Sequence, residues 1–376
     1  MDLLRPTYVH IHLNRLMSNY RYLQSLSLDH PFICPMIKAN AYGHGDLAVA
    51  MALENQGCRY IGVASVEEGL NLRRNNVAMN ILVFGFSGEE AVEELLQNQL
   101  TPVVSNIGQI ECLQRKVEKP IKIHLKINTG MNRLGLVARD LQSLNVYLKK
   151  PSLFILEGIG THLHSGDAAD QPAGSAQQQI LDFEKFSMAL SDWNPILHVY
   201  NSSALSTLIA NRQNLSYGIR PGLLTYGIDP EENPAVQALI KPVMELKSKV
   251  VAVQDILAGE VVSYGGTWQA QRPSKIAIVP AGYGDGICRS LSDSGKVLIR
   301  GKKLPICGRV CMDYTMVDCT DIHLDSQPLV GEEVVFIGEQ AGEEIPLEEF
   351  SKSAQRIPYE VMTGISERVA RFYGNK

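Results

Sequence analysis

A chain of 376 residues has room for two or three domains, and an apolar share of 45% with 20% charged residues is that of a globular protein with a full core. A net charge of −5 with no basic block argues against nucleic acid as a partner, and no apolar run approaches the roughly 18 residues that span a bilayer, so no membrane contact is expected. The N-terminus MDLLRPTYVHIHL lacks a signal-peptide pattern, and seven cysteines without a CxxC pair suit a reducing compartment, so the expected location is the cytoplasm.

In chain order, 8–13 alternates like a strand and 14–26 carries helical spacing through Leu16, Met17, Tyr20 and Leu23. The apolar run 32–37 reads as a buried strand with Lys38 at its C-terminal end. Short apolar runs follow at 60–64, 81–84, 102–105, 121–127, 153–161, 197–200 and 217–220, separated by amphipathic stretches such as 66–74, 89–98 and 175–190. With the Lys38 strand these make eight βα-like units, and such alternation predicts a parallel sheet. Eight units in about 230 residues predict a closed (β/α)8 TIM barrel. An open doubly wound sheet is the alternative, but no GxGxxG follows a first strand. The segment DPEENP at 229–234 breaks the composition and reads as a linker. Beyond it, the runs 243–256, 275–281, 296–300, 316–317 and 333–338 are strand-rich, with a closing helical piece near 358–365. The fold class expected is therefore α/β plus all-β: a barrel over 1–235 and a C-terminal β domain over 236–376.

Distinctive polar residues fall at the predicted strand ends, where barrel chemistry collects. Burying a lysine ammonium unpaired is expensive, and desolvation makes the amine available as a Schiff-base nucleophile; the competing reading of Lys38 is a head group in water. Lys126, Asn128 and Arg133 follow the fifth run, His162 and His164 the sixth, Asn201 and Ser202 the seventh, and Arg220 the eighth. Arg133 reads either as a surface arginine or as a bidentate holder of a substrate carboxylate. Asn201–Ser202 reads as a turn or as a phosphate site, with Gly222 permitting close backbone approach. Tyr42 could pack, or bond a phosphate oxygen. Two histidines one residue apart on a strand share a face and could bind a metal, which makes a metal-dependent barrel hydrolase a rival from another class. No HxxE, HExxH or cysteine pair joins them, so no metal is expected.

The segments IKANAYGHG, KINTGMNRLG, GIGTHLHSGD, NSSALS, IRPGLLTYGI, VVSYGGT, AGYGDG, GRVCMD and IPYEVMTGISERVAR occur in this order along almost the whole chain. Together they make it resemble the alanine racemases, pyridoxal-phosphate (PLP) enzymes of fold type III, whose architecture is a barrel followed by a β domain. The VSYG and VCMD segments, with their spacing, make the match specific. The resemblance implies that Lys38 carries the cofactor covalently, and that Tyr42, Ser202, the backbone of Gly222 and Leu223, and Tyr359 hold its phosphate, with Asn201 beside them. It implies that Arg220 bonds the pyridine nitrogen and that His162 bridges from Arg220 toward a catalytic tyrosine, Tyr264. That tyrosine would come from a second subunit, making a homodimer the catalytic unit. Arg133 and the Met312 N–H would hold the substrate carboxylate, and Lys126 matches a lysine that is often carbamylated. Asp167, Tyr283, Arg309 and Ile357 match the entrance.

Three departures stand out. Asn128 replaces the aspartate of many members, Asn132 replaces glycine, and His164 is unusual near the mouth. The expected reaction is racemisation of alanine by two bases, Lys38 on one face and Tyr264 of the partner subunit on the other, supplying D-alanine for peptidoglycan. A broader amino-acid or serine racemase of the same fold is the alternative.

Overall fold

The computed structural model describes residues 4–26, 32–149, 153–168, 175–322 and 329–374. The chain forms two compact units. One comprises Asn14–Ala41 and Gly45–Pro242; the other comprises the chain up to Leu13, Tyr42–His44 and the chain from Val243 on.

The first unit is the (β/α)8 barrel. Its parallel strands run in chain order through Tyr60–Val63, Asn80–Val83, Thr101–Val104, Ile121–Lys126, Phe154–Gly160, Ile196–Tyr200 and Gly218–Ile219. The first and third of these are buried at every position, as expected where helices cover a parallel sheet. Run 32–37 takes the eighth place, but not as a regular strand. Pro35 has no N–H to give, so the run is held by single bridges, Ile33 to Ile219 and Met36 to Gly62. The Cys34 N–H donates to the Ile219 carbonyl and the Ile37 N–H to that of Gly62, both at 2.9 Å, and these bonds close the barrel between its last and first strands. The helices follow the apolar spacing: Val66–Arg74 buries Val66, Leu70 and Leu72, and is capped by the Ser65 side chain.

The second unit holds a sheet whose strands run Lys302–Pro305, Lys296–Ile299, Glu333–Gln340, Met244–Lys249, Tyr8–His12 and Ala370–Gly374. The N-terminal strand, read as part of the barrel domain, instead pairs antiparallel with Met244–Lys249 and parallel with Ala370–Gly374. Alternation predicts a strand; it does not say which sheet. The run 243–256 divides into Met244–Lys249 and a second strand, Ala252–Ile256, which joins Ser274–Val279 in a different sheet. The chain does not close on the helix Pro358–Thr363, because the strand Ala370–Gly374 follows it. The DPEENP segment is a folded turn, not an open linker: buried Asp229 accepts from the N–H groups of Glu231 (3.2 Å) and Asn233 (2.7 Å). The units change over at Pro242/Val243.

Candidate active site

Lys38 opens a segment with an uncommon backbone. Ala39, Asn40, Ala41 and Tyr42 take φ of 51°, 53°, 52° and 53°, a left-handed turn that disfavours L-residues by about 1–2 kcal/mol each. Local bonds hold it. The Ala41 N–H donates to Ile37 O (2.9 Å) and the Gly45 N–H to Asn40 O (3.0 Å). The Ala39 N–H donates to Glu68 Oε1 at 2.6 Å, and the Asp46 N–H to Asn40 Oδ1 at 2.9 Å. Backbone strain maintained in this way is concentrated at functional sites. It fixes where the Lys38 side chain begins.

Around Lys38 the barrel strand ends present cations. Burial lowers the Lys38 pKa, Arg133 lowers it further, and Glu68 acts the other way. Lys126 ends its strand with a pKa brought down to about 8, first by burial and then by Arg133, Arg220 and Lys38. His162 is held near 3 by burial and then by the same Arg220, Lys126, Arg133 and Lys38. Five groups from four strand ends, Lys126 and Arg133 sharing one, therefore lie within one another's fields. Arg220 is 6% exposed, and burial lowers its pKa to about 10. Its Nη1 donates to His198 Nδ1 (2.6 Å) and to the His198 carbonyl (2.8 Å), while Nη2 donates to the carbonyls of Thr161 and Val199. Its Nε–H makes no hydrogen bond among the described residues, so one donor of the fork is left for a ligand.

Asn201 and Ser202 start the helix Ser202–Ala210. Both ends of the Asn201 amide are committed: Oδ1 accepts from the Ala204 N–H at 3.0 Å as the helix cap, and Nδ2 donates to the Leu163 carbonyl at 3.2 Å. Ser202 Oγ accepts from the N–H groups of Gly222 (2.8 Å) and Leu224 (3.4 Å), which leaves its own proton to donate. The Leu223 N–H has no partner among the described residues. With the open N–H groups of the helix's first turn, this is a place for an anion. Asp167 lies in the turn Gly166–Ala168; a β-carbon at Gly166 would stand 2.6 Å from the Ala204 nitrogen, so only glycine lets this turn approach the helix start.

The remaining predicted residues lie in the second unit. Tyr264 and Met312 line one shallow pocket and are 71% and 54% exposed. The Met312 carbonyl accepts from the Gly284 N–H at 2.9 Å, whereas its own N–H makes no hydrogen bond among the described residues. The Arg309 guanidinium lies over Gly265, and the Tyr283 N–H donates to the Cys311 carbonyl at 2.9 Å. The rings of Tyr42 and Tyr359 pair at 5.8 Å, and exposed Ile357 precedes the helix Pro358–Thr363.

Residues 11–230 match the family model described as the alanine racemase N-terminal domain, and residues 243–373 match the C-terminal one. The chain belongs to the alanine racemase family. An alanine racemase of Sorangium cellulosum is 37% identical, covering 98% of this chain and 99% of that one. Alanine racemase 2 of Caldanaerobacter subterraneus subsp. tengcongensis is 36% identical, with coverage of 99% and 96%. Among solved structures, an alanine racemase of Bartonella henselae with covalently bound pyridoxal phosphate has a TM-score of 0.86 at 30% identity, covering 98% of this chain and 99% of that one. Alanine racemases are isomerases acting on amino acids, and no described helix is long and apolar enough to cross a membrane.

Against the alanine racemase pattern, two departures now have a physical reading. Asn132 takes φ 54°, a left-handed conformation that asparagine tolerates where many alanine racemases place glycine. Asn128 closes the same loop: its Oδ1 accepts from the N–H groups of Gly130 (3.2 Å) and Asn132 (3.0 Å). His164 is exposed and its Nδ1 pairs with Ser165 Oγ at 2.7 Å, while His162 lies in the cation field. Sequence reasoning missed Glu68, Thr161 and His198. A glutamate on a helix and an imidazole inside an apolar strand carry no signal of their own.

Proposed function

We propose that the chain interconverts L- and D-alanine with pyridoxal 5'-phosphate held at the barrel mouth. The observation that carries this reading is the field shared by Lys38, Lys126, Arg133, His162 and Arg220. Such a cluster calls for anions, and a phosphate and a substrate carboxylate supply them. It also weighs against a metal-dependent hydrolase, since a divalent cation at His162 would meet the field of Arg220, Lys126, Arg133 and Lys38.

The residues present fit the cofactor. Lys38 would hold it covalently, the Arg220 Nε–H would face its ring nitrogen, and the Ser202 hydroxyl and Leu223 N–H would hold its phosphate beside the helix start. The assignments of Tyr42, Gly222 and Tyr359 to the phosphate, and of Asp167, Tyr283, Arg309 and Ile357 to the entrance, belong to the same proposal. When bound, the cofactor supplies the electron sink for the α-carbanion. Arg133 and the Met312 N–H would fix the substrate carboxylate. Lys38, whose charged form is disfavoured by burial and by Arg133, would exchange the α-proton on one face. Tyr264 of the partner subunit would exchange it on the other. The exposure of Tyr264 and Met312 supports a homodimer in which that face is covered. The depressed Lys126 pKa leaves a share of neutral amine for carbamylation near neutral pH, and a carbamate there would neutralise part of the cluster and orient Arg133. The product would serve peptidoglycan synthesis in the cytoplasm.

Chiral chromatography of L-alanine incubated with PLP-loaded protein tests this. D-alanine should approach an equal mixture and be absent with Lys38→Ala. PLP-loaded protein that yields no D-alanine refutes alanine as the substrate, and turnover of serine or a wider amino-acid panel would then support the broader racemase.

A further inference from the structure

Arg220 is not an isolated cation; behind it a chain of polar contacts runs from buried His198 and His124 to half-buried Glu157. Arg220 Nη1 donates to His198 Nδ1 at 2.6 Å, His198 Nε2 lies 2.9 Å from His124 Nδ1, and His124 Nε2 lies 3.3 Å from Glu157 Oε2. Lys122 Nζ, at 2.6 Å, and the Tyr60 hydroxyl, at 3.3 Å, donate to the other Glu157 oxygen. Arginine has no acceptor, so His198 Nδ1 must carry a lone pair. The His198 proton is then on Nε2 and points at His124 Nδ1, which in turn must be unprotonated. The His124 proton is therefore also on Nε2 and points at the carboxylate. Both ends force every proton in the chain to lie on one side.

The fold makes room for this arrangement. His124 stands opposite Gly158, and His198 opposite Gly160, on the strand between them. A β-carbon at Gly158 would come within 2.3 Å of the His124 ring, and one at Gly160 within 2.1 Å of the His198 ring. Phe32 stacks on His198 with ring centroids 4.9 Å apart and planes 19° apart, which fixes that ring from another side.

We infer that Glu157, His124 and His198 are positioning residues for the racemisation, a relay that aims Arg220 and sets how strongly it draws on the cofactor's ring nitrogen. The inference rests on the function proposed above. The Glu157 charge makes His124 Nδ1 more basic, and through it His198 Nδ1, so Arg220 shares its positive charge with the relay and offers a weaker donor to the ring. A ring nitrogen kept from full protonation is a weaker electron sink. Racemisation is then favoured over transamination, in which alanine leaves as pyruvate and its amino group stays on the cofactor.

Two measurements test the relay. Nitrogen-15 NMR of histidine-labelled, PLP-loaded protein should show His124 and His198 both neutral with the proton on Nε2 at neutral pH; an Nδ1 proton or a charged ring on either residue overturns the inference. Glu157→Gln keeps an acceptor for His124 but removes the charge. It should raise pyruvate formed per D-alanine roughly three- to tenfold and lower kcat with little change in KM, given how charge carries through polarised hydrogen bonds. An unchanged ratio with a lowered melting temperature would make the relay a structural feature only. If wild-type protein forms no D-alanine at all, the functional reading fails, and the NMR tautomers still decide the relay.

Discussion

Two clusters in this chain are each built from two histidines, a glutamate and basic side chains, and they are wired differently. In the barrel unit, Arg220, His198, His124 and Glu157 stand in series. In the second unit, His12 Nε2 lies 3.2 Å and His10 Nδ1 3.9 Å from one Glu245 oxygen, and Lys247 Nζ holds that same oxygen at 2.9 Å. Burial raises both carboxylates and their partners outweigh it, holding each near 2: His124 and Lys122 for Glu157, His12 and Lys247 for Glu245. The inventory and the carboxylate pKa values are alike, yet only the series arrangement ends on a donor at the barrel mouth. The parallel one converges on a single carboxylate oxygen of Glu245. Residue types at a cluster do not reveal its role; the order of the bonds does.

The largest difference between the clusters should appear when each loses its cation. Arg220→Met should lower kcat/KM for alanine by at least about 100-fold, the scale of removing a preorganised donor. Lys247→Met should leave it within about twofold and act on stability alone, as for any broken ion pair away from the site. Comparable losses in steady-state kinetics would erase the distinction.

Packing gives the next contrast. Gly160→Ala drives a methyl against a buried ring held on three sides and should destabilise by about 1–3 kcal/mol or more in thermal unfolding. A β-carbon at Gly374 would come nearest to His10 Nε2, at 3.0 Å, on a partly exposed side chain, so Gly374→Ala should change stability by under about 0.5 kcal/mol.

The smallest contrast is in acid. A carboxylate whose pKa is lower folded than unfolded stabilises fully above its unfolded value, and that contribution is lost as pH falls through the folded one. Both glutamates should thus lend stability that disappears between about pH 4.5 and about 2. Glu157→Gln and Glu245→Gln should each flatten this limb in pH-dependent denaturation, while only Glu157→Gln alters the product ratio. A Glu245→Gln variant that also changed the ratio would break the comparison.

Much of the barrel is legible in the chain because each strand and helix carries its own period. Val66–Arg74 and the runs ending at Lys126, Gly160 and Tyr200 show it. The strand-end residues are legible for the same reason, since a strand end can be read from where an apolar run stops. What depends on partners is not. Tyr8–His12 alternates in any sheet, so its place beside Met244–Lys249 lies in contacts made more than 200 residues away. The left-handed turn after Lys38 rests on bonds from Glu68 and Asn40 that no local propensity announces. His124 and His198 look like single core histidines until Gly158 and Gly160 are seen across from them.

The most direct test concerns the two lysines at the mouth. Both have depressed pKa values, that of Lys126 brought to about 8, so a depressed pKa alone does not choose between the two amines. Position on the strained turn, not pKa, selects Lys38 in this account. Borohydride reduction of the PLP-loaded protein followed by peptide mass mapping should place one pyridoxyl group on Lys38 and none on Lys126. A label on Lys126, or one spread over exposed lysines, would contradict it.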